Sequence, residues 1–125
     1  MFKRDISQES FEECGFFYTL SLINGKYKMI ILYALANFGV LRFNEMKKYI
    51  GKISYKTLSS TLKELEVNEL VSRKEYPQIP PKVEYSLTEH GRTLIPILDL
   101  MCDWGQNRGR RTGQKAGGVP GGSAE

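Results

Sequence analysis

Phe43-Asn-Glu-Met46-Lys-Lys-Tyr-Ile50-Gly51-Lys-Ile-Ser54-Tyr-Lys-Thr-Leu58-Ser-Ser-Thr-Leu62-Lys-Glu-Leu65 carries two helical patterns separated by a glycine. Phe43, Met46 and Ile50 recur at helical spacing and stop at Gly51, so 43–50 predicts a short amphipathic helix. Three residues later Ser54 supplies an N-cap, and Leu58, Leu62 and Leu65 form the buried stripe of a second helix over 54–68. Two short helices joined by a tight glycine turn make a helix-turn-helix unit. With the leucines turned to the core, the outward set is drawn from Ser54, Tyr55, Lys56, Thr57, Ser59, Ser60 and Lys63. It is short, hydroxyl-rich and basic, chemistry that bonds phosphates and base edges without bulk.

Downstream the hydrophobic period changes to two. Residues 71–76 and 82–87 read as strands, joined by Pro77-Gln-Ile-Pro-Pro81 as a stiff, protruding loop. Upstream, Phe16 to Ile23 is a short apolar helix stopped by Asn24-Gly25, a pair suited to a left-handed C-cap. Tyr27, Ile30, Ile31, Ala34, Leu35 and Phe38 then form one face of a helix closed by Gly39. After the strands, Thr88 caps a last helix expected to run to about Trp104, with Leu94, Ile97, Leu98 and Met101 on one face and a bend at Pro96. The expected fold is mainly α with a small β-hairpin wing, a winged helix-turn-helix.

Charge follows the same division. Residues 1–25 sum to −2 and residues 106–125 to +3. From Arg42 to Lys63 there are six bases (Arg42, Lys47, Lys48, Lys52, Lys56, Lys63) against Glu45 alone. Such a cluster suits a polyanion, nucleic acid first and anionic lipid second. Arg42 and Lys82 are candidate phosphate contacts, and Gln78 at the wing tip is placed to reach a minor groove.

The 125 residues fit a single folded unit, expected over 1–105, a DNA-binding and dimerisation domain. Six of the twelve glycines fall between Gly109 and Gly122, and 106–125 is expected to be a flexible Gly/Arg-rich tail. The longest apolar run, Met29 to Ala36, is eight residues, too short to span a bilayer. The N-terminus lacks a secretory pattern, so a cytoplasmic, nucleoid-associated protein with no membrane partner is expected. His90, the sole histidine, reads as an exposed helix residue. No metal-ligand cluster, phosphate-binding glycine loop or paired-carboxylate motif occurs, so neither an enzyme nor a cofactor is expected.

Several further stretches carry a resemblance. Tyr18-Thr-Leu-Ser-Leu-Ile-Asn-Gly-Lys26, Leu41-Arg-Phe-Asn-Glu45 and Tyr76-Pro-Gln-Ile-Pro-Pro-Lys-Val-Glu-Tyr-Ser-Leu-Thr-Glu89 are similar to motifs of the HxlR-type transcriptional regulators, winged-helix proteins related to the MarR group. Gly91-Arg92, Ile95-Pro96 and Cys102-Asp-Trp-Gly105 extend the likeness to residues 14–105. The resemblance implies a homodimeric DNA-binding regulator, with repression the favoured sign, acting on a pseudo-palindromic operator. It implies dimer contacts from the first and last helices, where Phe16, Phe17, Leu20, Leu98, Met101 and Trp104 are the candidates. Members of the family include thiol-based sensors. Cys14 stands just ahead of the first helix, beside unpaired backbone N–H groups. With Cys102 on the last helix, it is a redox-sensing candidate; the alternative is two inert small apolar residues.

The sequence departs from the family at Gly15, where proline is usual, at Tyr27, where tryptophan is common, and at Glu69, where glycine usually follows the recognition helix. If that last position requires positive φ, Glu69 costs on the order of 1 kcal/mol, unless Asn68 takes the left-handed conformation instead. Two other functions fit the same fold: a winged helix that docks on protein, and a regulator with a small-molecule pocket at the dimer interface.

Overall fold

The computed structural model describes residues 14–112, with side chains as far as Arg108. Residues 1–13 and 113–125, which include most of the expected tail, lie outside the described residues. The elements run α1 (Gly15–Ile23), α2 (Lys26–Phe38), β1 (Val40–Leu41), α3 (Phe43–Ile50), α4 (Tyr55–Val67), β2 (Val71–Tyr76), β3 (Lys82–Leu87), α5 (Glu89–Arg92) and α6 (Ile95–Thr112).

Local chemistry explains most of these bounds. Gly51 ends α3 at φ 87°, a conformation that side chains rarely adopt, and the Lys52 N–H turns back to the Ile50 carbonyl at 3.1 Å. Ser54 then caps α4, its Oγ accepting from the Thr57 N–H at 3.0 Å. At the other end of α4, Asn68 stays at φ −83° and Glu69 takes the left-handed position at φ 62°. The linker between α1 and α2 differs from the expected left-handed cap. Asn24 is the C-cap of α1 with extended backbone, and Gly25 adopts φ 134°, ψ 138° as the N-cap of α2.

α2 is the central helix, and it buries Lys28, Ile31, Leu32, Ala34 and Leu35. The expected face is therefore rotated. Tyr27 and Ile30 are half-buried, and Phe38 rests at the surface, edge-on to Tyr49 with ring centroids 5.3 Å apart. The reason is packing on several sides: α2 meets α3, α4, α6 and the sheet, so its apolar stripe extends to Leu32. Met46 and Ile50 of α3, Leu58, Leu62 and Leu65 of α4, and Leu70, Val71, Tyr85 and Leu87 around the sheet complete the core.

The sheet has three strands in the order β1-β3-β2, all antiparallel. β2 and β3 are the expected hairpin, in register from Val71 opposite Leu87 to Tyr76 opposite Lys82. β1 is new, two residues pairing Val40 with Ser86 and Leu41 with Tyr85. A two-residue strand has no readable alternation, and only its partner defines it.

The expected single last helix is split. Thr88 caps a short α5, its Oγ1 accepting from the Gly91 N–H at 2.9 Å, and a new helix begins at Ile95. Proline has no N–H to contribute, so the chain places Pro96 in the first turn of α6, where none is required. Gly91 is fixed by contact: a Cβ there would collide with the backbone carbonyl of Leu70. α6 runs past the expected end near Trp104 to Thr112, so the helical region crosses the boundary expected at 105. Within this stretch Arg108 lies over the Trp104 ring at 5.9 Å, one turn away.

Candidate nucleic-acid interface

The outer face of α4 is where the basic cluster becomes a surface. Tyr55, Lys56, Ser59, Ser60 and Lys63 are all exposed, opposite the buried Leu58, Leu62 and Leu65. Ser54 and Thr57 belong to the cap: the Ser54 hydroxyl donates to Thr57 Oγ1 at 2.9 Å while accepting from its N–H, and Thr57 is half-buried. Ser60 Oγ donates back to the Thr57 carbonyl at 3.2 Å. Tyr55 leans on Phe43 of α3, ring centroids 4.6 Å apart, which anchors an otherwise exposed side chain. Arg42 is exposed just before α3, its N–H donating to Glu45 Oε1 at 2.8 Å to cap that helix.

Between α4 and the hairpin lies a groove of about 1030 Å³. α4 contributes Tyr55, Lys56, Ser59, Ser60, Lys63 and Glu66 to it, and the sheet contributes Arg73, Val83 and Tyr85. Three cations against one carboxylate give the groove a positive balance. Arg73 was not among the sequence candidates. Its register opposite Tyr85 turns it toward α4, and hydrogen bonding to Tyr85 pushes its guanidinium further up from an already high value. Its guanidinium also donates to Glu75 Oε1 at 3.3 Å. The strand period could have marked Arg73, but only the hairpin's position beside α4 gives it a role.

The wing cations are engaged within the chain. Lys82 is half-buried, with Nζ 3.5 Å from Glu84 Oε2 and 4.6 Å from the centre of the Tyr76 ring. Lys74 lies over the same ring at 5.1 Å, and the Tyr76 hydroxyl donates to Glu84 Oε1 at 2.9 Å. Gln78 is exposed in the connecting loop.

Away from this face, α1 and α6 present apolar side chains to solvent. Phe16, Met101 and Trp104 are exposed, and Phe17 and Leu20 are half-buried. Tyr18, Ile97 and Leu100 add to this surface. Leu98 differs from its expected outward position, since it is buried against the core of its own chain. Cys14 is exposed at the N-cap of α1, and Cys102 is half-buried on α6. The Cys102 Sγ lies 3.6 Å from the Tyr33 hydroxyl of α2, and this hydrogen bond helps hold the Tyr33 phenol above its usual range.

Among the described residues, no group of three or more His, Cys, Asp and Glu is placed to hold a metal ion. No described helix is long and apolar enough to cross a membrane.

Residues 22–112, from the end of α1 to the end of α6, match the HxlR-like helix-turn-helix family. The chain belongs to that family. It is a transcriptional regulator of the winged helix-turn-helix type, and the family consists of DNA-binding regulators, not enzymes. The chain is 60% identical over 97 residues to an uncharacterised HTH-type transcriptional regulator of Halalkalibacterium halodurans, covering 78% of this chain and 86% of that one. The oxidised form of the redox regulator HypR is similar at 46% identity and a TM-score of 0.71, over 75% of this chain and 96% of HypR. A MarR-family regulator from Porphyromonas gingivalis superposes at a TM-score of 0.73 and 37% identity, over 78% of this chain and 95% of its own.

Proposed function

We propose that this HxlR-family regulator binds a pseudo-palindromic operator as a homodimer, with α4 in the major groove. The observation that carries the proposal is the exposed hydroxyl and cationic face of α4. There Lys56, Ser59, Ser60 and Lys63 border the same groove as Arg73. Lysines bond phosphates and set the register, and the short hydroxyls approach base edges. Arg42 and Gln78 are exposed and extend the contact set, whereas Lys82 must first be released from Glu84.

The apolar surface of α1 and α6 supports dimerisation. Phe16, Met101 and Trp104 stay exposed in the single chain and gain by meeting a symmetry mate across a two-fold axis. Two copies of α4 then enter successive major grooves about 34 Å apart.

A response to oxidants or electrophiles is the second part of the proposal. It is supported by similarity to a protein described as a redox regulator and by the exposure of Cys14 beside this apolar surface. A cross-link or polar adduct there would change the spacing of the two recognition helices.

Selection of duplexes from a random library, followed by footprinting with and without diamide, tests the whole reading. A dyad-symmetric consensus with half-sites one helical turn apart is expected, together with dimers in sedimentation at micromolar concentration. A monomer, or an asymmetric consensus, would remove the homodimer.

A further inference from the structure

The turn between α3 and α4 is held from outside the helix-turn-helix unit. Gly51, Lys52 and Ile53 separate the end of α3 from the Ser54 cap, and Gly51 takes a left-handed backbone there. The Tyr27 hydroxyl of α2 donates to the Lys52 carbonyl at 2.8 Å, across 25 residues of sequence. The Tyr27 side chain is half-buried against the core, and Lys26 Nζ lies 5.2 Å from the centre of its ring. The hydroxyl is thus carried by a ring that packing has already oriented.

The next residue of α2, Lys28, pairs with Glu64 of α4 at 2.6 Å. Adjacent residues of α2 therefore hold the chain at two points, Lys52 just before α4 and Glu64 near its end. Leu58, Leu62 and Leu65 keep α4 on the core, but apolar contact is non-directional and permits a helix to rock. Two separated polar ties oppose that motion. With 13 residues α4 is about 20 Å long, and a tilt of about 5° displaces one end by about 1.7 Å. Such a shift carries a side chain out of hydrogen-bond reach of a base edge. Both ties start in the first turn of α2, directly after Gly25, whose φ of 134° forms the joint with α1.

We infer that Tyr27 is a positioning residue for DNA binding: its bond to the Lys52 carbonyl sets the tilt of α4 against α1, and hence the separation of the two α4 helices in a dimer. This inference rests on the homodimeric operator reading above. The bond is internal to the chain and involves no charge, so its loss acts on geometry and not on phosphate attraction. A pre-set pair of helices binds one half-site spacing tightly and rejects others, because displaced half-sites are met only by tilting α4. A freed α4 adapts to more spacings and loses affinity at the best one, since it must then be ordered on binding.

The test measures affinity for the duplex recovered by selection, and for versions with one base pair inserted or removed between the half-sites. One base pair shifts a half-site by about 3.4 Å and rotates it by roughly 35°. The parent is expected to lose about tenfold on either altered duplex. Tyr27→Phe keeps the packed ring and removes only the hydroxyl. It is expected to lose about fivefold at the selected spacing and to show a penalty of only about twofold on the altered duplexes, with the salt slope unchanged. Sedimentation and a thermal melt of the same samples establish that the variant is a folded dimer at the assay temperature. Amide exchange at Ile53, Ser54 and Tyr55 should rise in the variant, with Ile31, Leu32 and Leu35 unchanged. Equal binding by parent and variant, or a uniform loss that keeps the parent's spacing penalty, would overturn the positioning role while the operator reading stands. A parent that binds all three duplexes alike, or binds none, removes the homodimeric operator reading and the inference together.

Discussion

Lys28 of α2 reaches Glu64 of α4, Nζ to Oε2 at 2.6 Å, and ties α4 to the central helix of the fold. The two ends are unequal: the lysine side chain is 10% exposed and the glutamate 56%. The pair serves mainly to satisfy an ammonium that the core has enclosed, since a half-exposed carboxylate is well screened.

Removing the carboxylate should therefore cost more than removing both charges. Glu64→Ala is expected to destabilise by about 1–2 kcal/mol, and Lys28→Met with Glu64→Ala by less. Denaturant unfolding of the two variants measures the order, and a larger loss in the double variant would contradict it.

Glu69 occupies φ 62° immediately after α4, while Asn68 remains at negative φ. Glu69→Gly is expected to stabilise the protein by about 1 kcal/mol, because glycine adopts this backbone without Cβ crowding. Asn68→Gly should give no such gain. Thermal or chemical unfolding distinguishes them.

Gly91 approaches the Leu70 carbonyl so closely that the added methyl of alanine has no space. Backbone must move to admit it, so Gly91→Ala is expected to lose about 2–3 kcal/mol. The shift should appear as a lower thermal midpoint with helix content retained below it.

Lys56 and Ser59 share the outer face of α4 but should fail differently. With about four phosphate contacts per subunit, the dimer should show a slope of log K against log salt of roughly −7. Lys56→Ala is expected to weaken all sequences similarly and make the slope shallower. Ser59→Ala should reduce discrimination between cognate and altered half-sites with the slope unchanged. Fluorescence anisotropy titrations over a salt series measure both.

Cys14→Ser should leave DNA affinity intact and abolish release of DNA under diamide. Equal release by parent and variant in a mobility-shift assay would remove Cys14 from any thiol response. Cys102→Ser, at the half-buried thiol near Tyr33, separates a cross-link from a modification of Cys14 alone.

Much of the fold was legible because its signals are local. The period of Phe43, Met46 and Ile50 needs no knowledge of a partner, nor does the Ser54 cap, and α3 and both hairpin strands occupy the expected ranges. The outward face of α4 was readable for the same reason, since three leucines at helical spacing fix which side remains. Thr57 was the exception within it: it is half-buried, and its Oγ1 accepts from the capping hydroxyl of Ser54.

Local chemistry therefore sets where helices and strands form and which face of α4 is polar. Periodicity, capping and turn chemistry act over a few residues. Packing between distant elements sets the pairing of β1 with β3, the rotation of α2 toward Leu32 and Lys28, the inward position of Leu98 and the place of Arg73 beside Lys56. Each of these depends on contacts between residues far apart in the chain. A helix's composition limits which of its flanks can be buried, but the elements packed around it select among them.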